Sequence, residues 1–547
     1  MRPTKFSVSI MAAMSVGALA TGAYAQGRRQ AEAAAAPIQV KSLAEGVYLV
    51  SGGAGANTGF VVGTNGVIVI NAKGNADSAK ALLAEIAKVT PKPVTHVILT
   101  GSDADDVGGL TAFPKGLTII AHENAKTDLK DSLDAMGSAA PPALARLGDF
   151  LPTQTITKNE DLTIDGVRVR LLHFAAARTN GDLMVYLPAQ KVVFGGDLLA
   201  APNRFPQVNL ARHGSVEGWI ANVKGVVDLH ATAYVPGRGD VQTEAVVAKS
   251  LADASAKQKQ VAALFAQGKS ITEAQSATGE KEGPEFGAQL TFTSIAWREL
   301  SAKQRFDPHD LSGFYKTRGS QLPLGGRHEI SANPPLMTAW AKAKYDAAKP
   351  GLNGTGAGRA APLGNDPIMV CDPVGYPRII VASGEYGQQI IQAPKETLIL
   401  FDWFYARRDI YTDGRKLSPD TDNRFYGNSV GHWEGDTFVV ESNNFDPRAW
   451  LDSAGHPHSD TMTMVERYKR VDHDTFELTF TLTDPMAYET PWVSEKKYME
   501  RFFKDELEAR DDGWNELRED VCIPDVESRY KEDVRLPAGG AKPGEQK

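Results

Sequence analysis

Acidic side chains cluster directly after one apolar segment in the first third of the chain. Residues 94–99 form a continuous apolar run typical of a strand buried on both faces, and Asp103, Asp105 and Asp106 follow it closely. Carboxylates bind hard cations such as Ca²⁺, Mg²⁺ and Mn²⁺ through oxygen, and a positioned carboxylate can also accept a proton. These residue types therefore allow cation binding or proton transfer, and nothing in the spacing selects a particular base.

The same loop resembles the metal-binding motif of the metallo-β-lactamase superfamily, in which a strand is followed by His-x-His-x-Asp-His. The three histidine positions hold Gly101, Asp103 and Asp106, whereas Asp105 matches the motif and a Gly-Gly pair follows it. The resemblance covers residues 38–300 and implies a four-layer αββα sandwich.

Further landmarks of that family follow in the expected order. Residues 66–71 resemble an early strand that normally ends in aspartate, and here it ends in asparagine. Arg178 begins an Arg-Thr-Asn-Gly-Asp segment where the family has histidine, and Arg238 replaces histidine in Pro-Gly-Arg-Gly. Asp197 matches the aspartate that bridges two metal ions. The resemblance thus implies a site that keeps both aspartate ligands and none of the five histidine ligands.

The implied site does not suit zinc, which prefers nitrogen and sulfur donors. Its carboxylates offer only oxygen, and they are those of Asp103, Asp105, Asp106 and Asp197. A guanidinium cannot deprotonate to become a ligand. We therefore expect no zinc and no other cofactor, and we expect Arg178 and Arg238 to neutralise the carboxylates in the place of metal. Two alternatives stay open, namely a non-zinc cation on the carboxylates and loops whose side chains simply face solvent.

Three hypotheses about function follow from this candidate pocket. The first is a protein without the usual hydrolase activity that binds a small molecule through Arg178 and Arg238. The second is a hydrolase-like enzyme that uses the altered pocket of aspartates and arginines, and the third is a hydrolase with a non-zinc metal. His173, five residues before Arg178, is a candidate for the edge of the site. The identity of the ligand is left open by the sequence, because function depends on the site and not on the scaffold.

The first residues have the pattern of a secretory signal peptide. Arg2 and Lys5 precede an apolar stretch over 8–20, and Ala-Tyr-Ala at 23–25 is a cleavage site. We expect cleavage near Ala25 and a periplasmic or secreted protein. The net charge of −8 argues against a nucleic-acid partner. No later segment is apolar enough for membrane insertion.

The rest of the chain is predicted to have an α+β fold, and its composition divides it into several segments. Residues 26–37 are predicted to be a disordered lead-in, and strands alternating with helices over 38–240 fit the sandwich, including a helix over 76–89. The pattern over 241–305 indicates a helical extension. Residues 306–535 contain β-type segments separated by turns, which predict an antiparallel barrel or a curved sheet, and 536–547 are predicted to be a disordered tail.

Two features of the C-terminal half suggest further sites. His456, His458 and Asp460 are weak candidates for metal ligands, and a polar turn explains the same residues without metal. Cys371 and Cys522 are the two cysteines of the chain, and in an exported protein such a pair predicts one disulfide. Two buried free thiols are the alternative.

Overall fold

The computed structural model describes most of the chain between residues 36 and 503. The described ranges are 36–136, 142–202, 204–281, 290–317, 330–331, 333–348, 365–381, 387–419 and 422–503. The predicted signal peptide, nearly all of the lead-in, the tail and Cys522 lie outside these residues. The predicted disulfide between Cys371 and Cys522 therefore stays a prediction.

The first seven strands of the chain form one sheet, in which each strand lies beside the next strand in the sequence. They are β1 (Gln39–Ala44), β2 (Val47–Ser51), β3 (Thr58–Val62), β4 (Val67–Ile70), β5 (Val94–Ile98), β6 (Thr118–His122) and β7 (Gln154–Ile156). The first four strands pair antiparallel, and β4 to β7 pair parallel. The parallel strands place their carboxyl ends at one edge, so the loops after β4 and β5 meet there.

Helices connect the parallel strands of this sheet. They are α1 (Ala76–Val89), α2 (Ala104–Val107), α3 (Glu123–Met136) and α4 (Pro142–Ala145), with short 3₁₀ turns at Leu110–Ala112 and Arg146–Phe150. The predicted helix over 76–89 is confirmed. Helix α1 begins at Ala76 because the Asn75 side chain accepts a hydrogen bond from the Ser78 backbone N–H.

A second sheet of five strands has the order β12-β11-β10-β9-β8. Its strands are β8 (Glu160–Ile164), β9 (Val167–Leu172), β10 (Met184–Leu187), β11 (Val192–Gly196) and β12 (Ala233–Pro236). A 3₁₀ turn, Leu210–Arg212, and helix α5 (Val216–Val227) connect β11 to β12, which pair in parallel. Both halves of the domain therefore present loops at the carboxyl ends of parallel strands.

Three apolar clusters show that the two sheets and the helices form four layers. One cluster lies between the sheets and joins residues such as Ile68 and Ile98 to Val185 and Phe194. A second packs α1 and α3 on the first sheet, and a third packs α5 on the second sheet. The predicted αββα sandwich is confirmed.

Three further helices follow the sandwich, namely α6 (Glu244–Ala266), α7 (Ile271–Ala277) and α8 (Phe292–Ala302). Val247, Ala254 and Ile295 of these helices join the cluster on the outer face of the second sheet. The helices are therefore packed on the sandwich itself, on the face that α5 also covers.

The C-terminal strands form a closed barrel. They are β13 (Gly313–Thr317), β14 (Gly387–Ala393), β15 (Glu396–Phe401), β16 (Arg407–Tyr411), β17 (Asn428–Glu434), β18 (Thr437–Asn443), β19 (Thr463–Arg470), β20 (Thr475–Thr483), β21 (Trp492–Val493) and β22 (Lys497–Arg501). The pairing of β19 with β20 closes the ring, and β21 pairs with β20 as a side branch. Two helices, α9 (Ala339–Ala347) and α10 (Arg378–Val381), and a 3₁₀ turn, Pro367–Val370, precede β14.

The prediction of a β-rich, barrel-like domain is confirmed, with one departure from antiparallel pairing. β16 and β17 pair in parallel over Ile410–Tyr411 and Ser429–Val430. Every second residue of β19 is buried, as expected for a strand with one face toward the barrel interior. Within the described residues, we find no helix long and apolar enough to cross a membrane.

Candidate functional site

The loops after β4 and β5 are tied together by a buried asparagine. Asn71 follows β4, and its side chain donates to Thr100 Oγ1 at 2.8 Å and accepts from the Thr100 backbone N–H at 2.8 Å. A Cβ added to the neighbouring Gly101 would lie 3.2 Å from Asp106 Oδ2. The position where the family has its first histidine therefore faces a carboxylate and has no side chain of its own.

Two arginines from the second half of the sandwich converge on Asp103. Arg178 Nη2 lies 2.5 Å from Asp103 Oδ2, and Arg212 Nη1 lies 2.5 Å from Asp103 Oδ1. Asp103 stands at the N-cap of α2 but makes no capping hydrogen bond, so both of its oxygens face the guanidinium groups. Burial alone would raise the pKa of Asp103, but Arg178 and Arg212 hold it below its usual value.

The two arginines extend this pair into a chain of alternating charges. Arg178 also lies 3.7 Å from Asp197 at the end of β11, and Arg212 Nη2 donates to Asp128 of α3 at 2.8 Å. We call Asp128, Arg212, Asp103, Arg178 and Asp197 the charge chain. It crosses from the first half of the sandwich to the second.

Arg212 and Asp128 are functional candidates that the sequence reasoning missed. Arg212 is only 6% exposed, and it also donates to the Ser102 hydroxyl at 2.5 Å. The Asn209 side chain caps the 3₁₀ turn that carries it by accepting from the Arg212 backbone N–H. None of the family landmarks quoted above includes this turn. Arg212 meets Asp103 and Asp128 only in the folded chain, because the three residues are far apart in the sequence.

A second ion pair lies nearer the surface, on the exposed side that we call the mouth of the candidate site. The Arg238 guanidinium, in the loop after β12, donates to the Asp105 carboxylate. The side chains are 65% and 44% exposed, in contrast to the charge chain. We call Asp105 and Arg238 the mouth pair. The predicted pairing of Arg178 and Arg238 with the site aspartates is thus present in the structure, with Asp103 and Asp197 on one arginine and Asp105 on the other.

Asp106 is a buried carboxyl of the candidate site. It is 4% exposed. Burial raises the pKa of Asp106 well above its usual range, and the carboxylates of Asp197 and Asp103 raise it further. The pKa of Asp197 is also raised by burial, against the effect of Arg178. Asp106 therefore holds a proton at pH values where an exposed aspartate is ionised.

Asp182 is a further buried carboxyl, and the sequence reasoning placed it in a motif without giving it a role. It accepts hydrogen bonds from the Thr179 backbone N–H at 2.6 Å and the Thr179 hydroxyl at 2.8 Å. Burial raises its pKa to about 6, against these hydrogen bonds. His173, a predicted edge residue, contacts the Asp182 backbone oxygen through Nδ1 at 2.7 Å. It also lies against His122, with ring centroids 4.1 Å apart.

The donor set at the strand ends consists of carboxylate oxygens with guanidinium groups among them. In the described part of the chain, no group of three or more His, Cys, Asp and Glu side chains has an arrangement that could hold a metal ion. Zinc prefers nitrogen and sulfur donors, and a guanidinium placed between two carboxylates repels a divalent cation. These residues do not fit the pair of zinc ions that the family resemblance implies.

The weak metal candidates of the C-terminal half do not share one site. His456 Nδ1 lies 2.6 Å from Asp452 Oδ2, whereas His458 Nδ1 lies 2.9 Å from the Ser459 backbone oxygen. Asp460 is exposed, in contrast to both histidines. Each histidine contacts a polar group close to it in the chain, and metal binding by these residues stays a prediction.

The interior of the barrel contains a fully buried polar cluster. Arg408 of β16 forms a two-pronged ion pair with Glu466 of β19, and both side chains are 0% exposed. The hydroxyl groups of Tyr376 and Tyr468 donate to Glu466 Oε1 at 2.5 and 2.7 Å. The Arg408 guanidinium also lies 3.9 Å from the centroid of the Tyr376 ring. These contacts fill this part of the interior with protein side chains.

Comparison with known proteins agrees with the fold of the sandwich. Residues 51–238 match the family model described as the metallo-beta-lactamase superfamily. This domain of the chain belongs to that superfamily. The match covers the sandwich from the end of β2 to Arg238 and leaves out the barrel.

Individual relatives match this chain at low sequence identity. A linear primary-alkylsulfatase of Pseudomonas sp. (strain ATCC 19151) is 23% identical over 210 residues, which are 32% of this chain and 39% of the relative. A metallo-beta-lactamase type 2 of Bacillus sp. (strain 170) is 26% identical over 198 residues, 36% of this chain and 71% of the relative. A solved metallo-beta-lactamase from Pontibacter korlensis has a TM-score of 0.33 and 18% identity, and the match covers 40% of this chain and 99% of that one.

Proposed function

We propose that the metallo-β-lactamase domain is a metal-free module that binds a small anionic ligand. The observation that carries this proposal is the position of Arg178, with one guanidinium nitrogen 2.5 Å from Asp103 and 3.7 Å from Asp197. A positive charge there balances two carboxylates that would otherwise repel each other. In this proposal, the guanidinium supplies the positive charge that a metal ion supplies in a site with histidine ligands.

The mouth pair supplies the ligand contact in this proposal. Arg178 and Arg212 are paired with half-buried carboxylates, but Arg238 is 65% exposed and its partner Asp105 is 44% exposed. An exposed ion pair is worth only about 0–1 kcal/mol in water, so a ligand oxyanion can replace Asp105 at little cost. A guanidinium binds carboxylate, sulfate or phosphate oxygens with two parallel hydrogen bonds.

The test uses hexyl sulfate, chosen because one relative is named an alkylsulfatase. Isothermal titration should show saturable binding that is weakened in Arg238→Gln, and no sulfate should be released on long incubation. The matched control is Arg170→Gln, which removes an arginine from an exposed pair with Asp161 on β9 and β8. Binding that is equal in wild type and Arg238→Gln would contradict the assigned role of Arg238.

A second candidate function is hydrolysis by the same pocket without zinc. The observation in its favour is the raised pKa of Asp106, because a buried carboxyl that keeps its proton can serve as a general acid. Release of inorganic sulfate from hexyl sulfate, abolished in Asp106→Asn with the fold intact, would support this candidate over pure binding.

We also propose that the protein is exported and carries the Cys371–Cys522 disulfide. The signal-peptide pattern and the pair of cysteines support this proposal. N-terminal sequencing of the protein from the periplasm should begin near residue 26. Mass spectrometry of a non-reduced digest should find the two cysteine peptides linked, whereas a full-length chain with two free thiols would contradict it.

A further inference from the structure

Lys73 is a buried cation that belongs neither to the charge chain nor to the mouth pair. It is 0% exposed. Its ammonium group donates to three backbone oxygens, those of Val50 at 3.1 Å, Gly52 at 2.8 Å and Ala56 at 3.0 Å. Burial lowers the pKa of Lys73 to about 8. Among the described residues, no carboxylate forms an ion pair with Lys73. Burial of an ammonium group without such a partner is costly, and its three hydrogen bonds to backbone oxygens offset this cost.

The three acceptors surround one loop. Residues 52–57 connect β2 to β3, and we call them the mouth loop. A single ammonium group therefore ties the beginning of the mouth loop to its end. Gly55 has φ of 98°, and a Cβ added there would lie 2.4 Å from the Asp105 backbone oxygen. The loop thus approaches the α2 segment more closely than a side chain would allow.

The mouth loop also contacts the backbone of Asp105 and the backbone of the residues that flank Arg238. The Ala56 N–H donates to the Asp105 backbone oxygen at 3.1 Å, and the Asn57 N–H donates to that of Gly237 at 2.7 Å. The Asn57 side chain donates to the Pro236 oxygen at 3.0 Å and the Gly239 oxygen at 2.8 Å. These bonds lie on either side of Arg238 in the chain.

We propose that Lys73 is a positioning residue that holds the mouth loop and, through it, the backbone of Asp105 and the segment that carries Arg238. The proposal builds on the assignment of Arg238 as the ligand contact. Without the ammonium group, three buried or half-buried carbonyl groups lose this donor, and the loop opens to hydrate them. The segments that carry the mouth pair then lose their shared support, while the charge chain keeps its own contacts.

The test compares Lys73→Met with Lys80→Met, which removes a side chain that is 68% exposed on α1. In Lys73→Met, the amides of Ala56 and Asn57 should exchange with deuterium about tenfold faster or more, while amides of β4 and β5 keep their protection. Trypsin should cleave after Arg238 at least about tenfold faster. Lys80→Met should match wild type in both measurements.

A second variant keeps the test decisive where Lys73→Met does not fold. Asn57→Ala leaves the lysine contacts in place and removes the bonds to Pro236 and Gly239. It should speed cleavage after Arg238 and leave the Ala56 amide protected. Wild-type cleavage in Asn57→Ala, or a loss of protection in Lys73→Met that is equal in loop and strands, would overturn the proposal. Neither measurement involves metal or ligand, so its failure is separate from failure of the proposed function.

Discussion

Arg178 and Asp103 form an ion pair across the two halves of the sandwich, with 2.5 Å between guanidinium nitrogen and carboxylate oxygen. In the family motif both positions hold histidine. The two substitutions are thus complementary, because one brings a positive charge and the other a negative charge to a site without nitrogen ligands.

Removal of the Arg178 side chain should destabilise the domain. Arg178→Ala leaves Asp103 and Asp197 without a shared cation, and we expect a loss of about 2–4 kcal/mol, since breaking a fully buried pair costs about 3–5 kcal/mol and this one is partly solvated. Chemical denaturation measures the loss, and added methylguanidinium should restore part of it. Arg170→Ala serves as the control and should change stability by less than about 1 kcal/mol. Equal effects of the two variants would contradict the role of Arg178.

Arg212 should not be replaceable by lysine. Its planar group contacts Asp103, Asp128 and the Ser102 hydroxyl at once, and an ammonium group cannot match this fork. We expect Arg212→Lys to lower the free energy of unfolding by about 1–3 kcal/mol. The exposed Arg168→Lys on β9 should be neutral. Thermal unfolding of both variants checks this, and a stable Arg212→Lys would show that charge alone is sufficient.

Asp106→Asn should stabilise the domain at neutral pH. Burial raises the pKa of the wild-type carboxyl above that of an aspartate in the unfolded chain, so ionisation of Asp106 at neutral pH costs folding free energy. Asparagine avoids this cost, and its advantage should vanish as the pH falls below the ordinary aspartate value of 3.8, where the unfolded chain also holds the proton. Asp128→Asn is the matched control, and it should destabilise because Asp128 is paired with Arg212. Destabilisation by Asp106→Asn at pH 7.5 would contradict this account.

The Asp182 carboxyl should make the free energy of unfolding depend on pH between about pH 4 and pH 6. Its folded-state pKa of about 6 lies above the ordinary aspartate value of 3.8. The contribution to stability is therefore complete below the lower value and is lost as the pH rises through the higher one. As the pH rises across this window, the stability of Asp182→Asn relative to wild type should increase by up to about 3 kcal/mol. Denaturant titrations at several pH values measure the difference, and a difference that stays constant with pH would refute it.

The stability of the barrel should depend on the buried ion pair between Arg408 and Glu466. Glu466→Gln leaves the Arg408 guanidinium without a carboxylate at a position of 0% exposure, and we expect a loss of about 3–5 kcal/mol. Glu441→Gln on the adjacent strand β18 alters an exposed side chain and should have almost no effect. Thermal unfolding of the two variants gives the comparison. Similar melting temperatures would mean that the cluster adds nothing to the stability of the barrel.

The sequence predicted much of the fold because the relevant signals are local. The apolar run over 94–99, the helix over 76–89 and the motifs at Arg178, Asp197 and Arg238 each depend on residues close together in the chain. They were sufficient to predict the sandwich and to identify the arginines that lie at its strand ends.

The rest of the site depends on contacts between distant segments. Arg212 meets Asp103 and Asp128 from a turn with no motif, and Lys73 is recognisable only by the three carbonyl groups around it. The raised pKa of Asp106 likewise follows from burial beside other carboxylates, which composition and spacing do not reveal. Residues of this kind become visible when the chain is folded.

The central claim is that arginine replaces metal at this site. Its most direct test is elemental mass spectrometry of untagged mature protein purified without chelators. We predict less than about a tenth of an equivalent of any transition metal or Ca²⁺. About one equivalent or more, lost in a variant that combines Asp105→Ala with Asp197→Ala, would contradict the claim and restore a metal-dependent hydrolase.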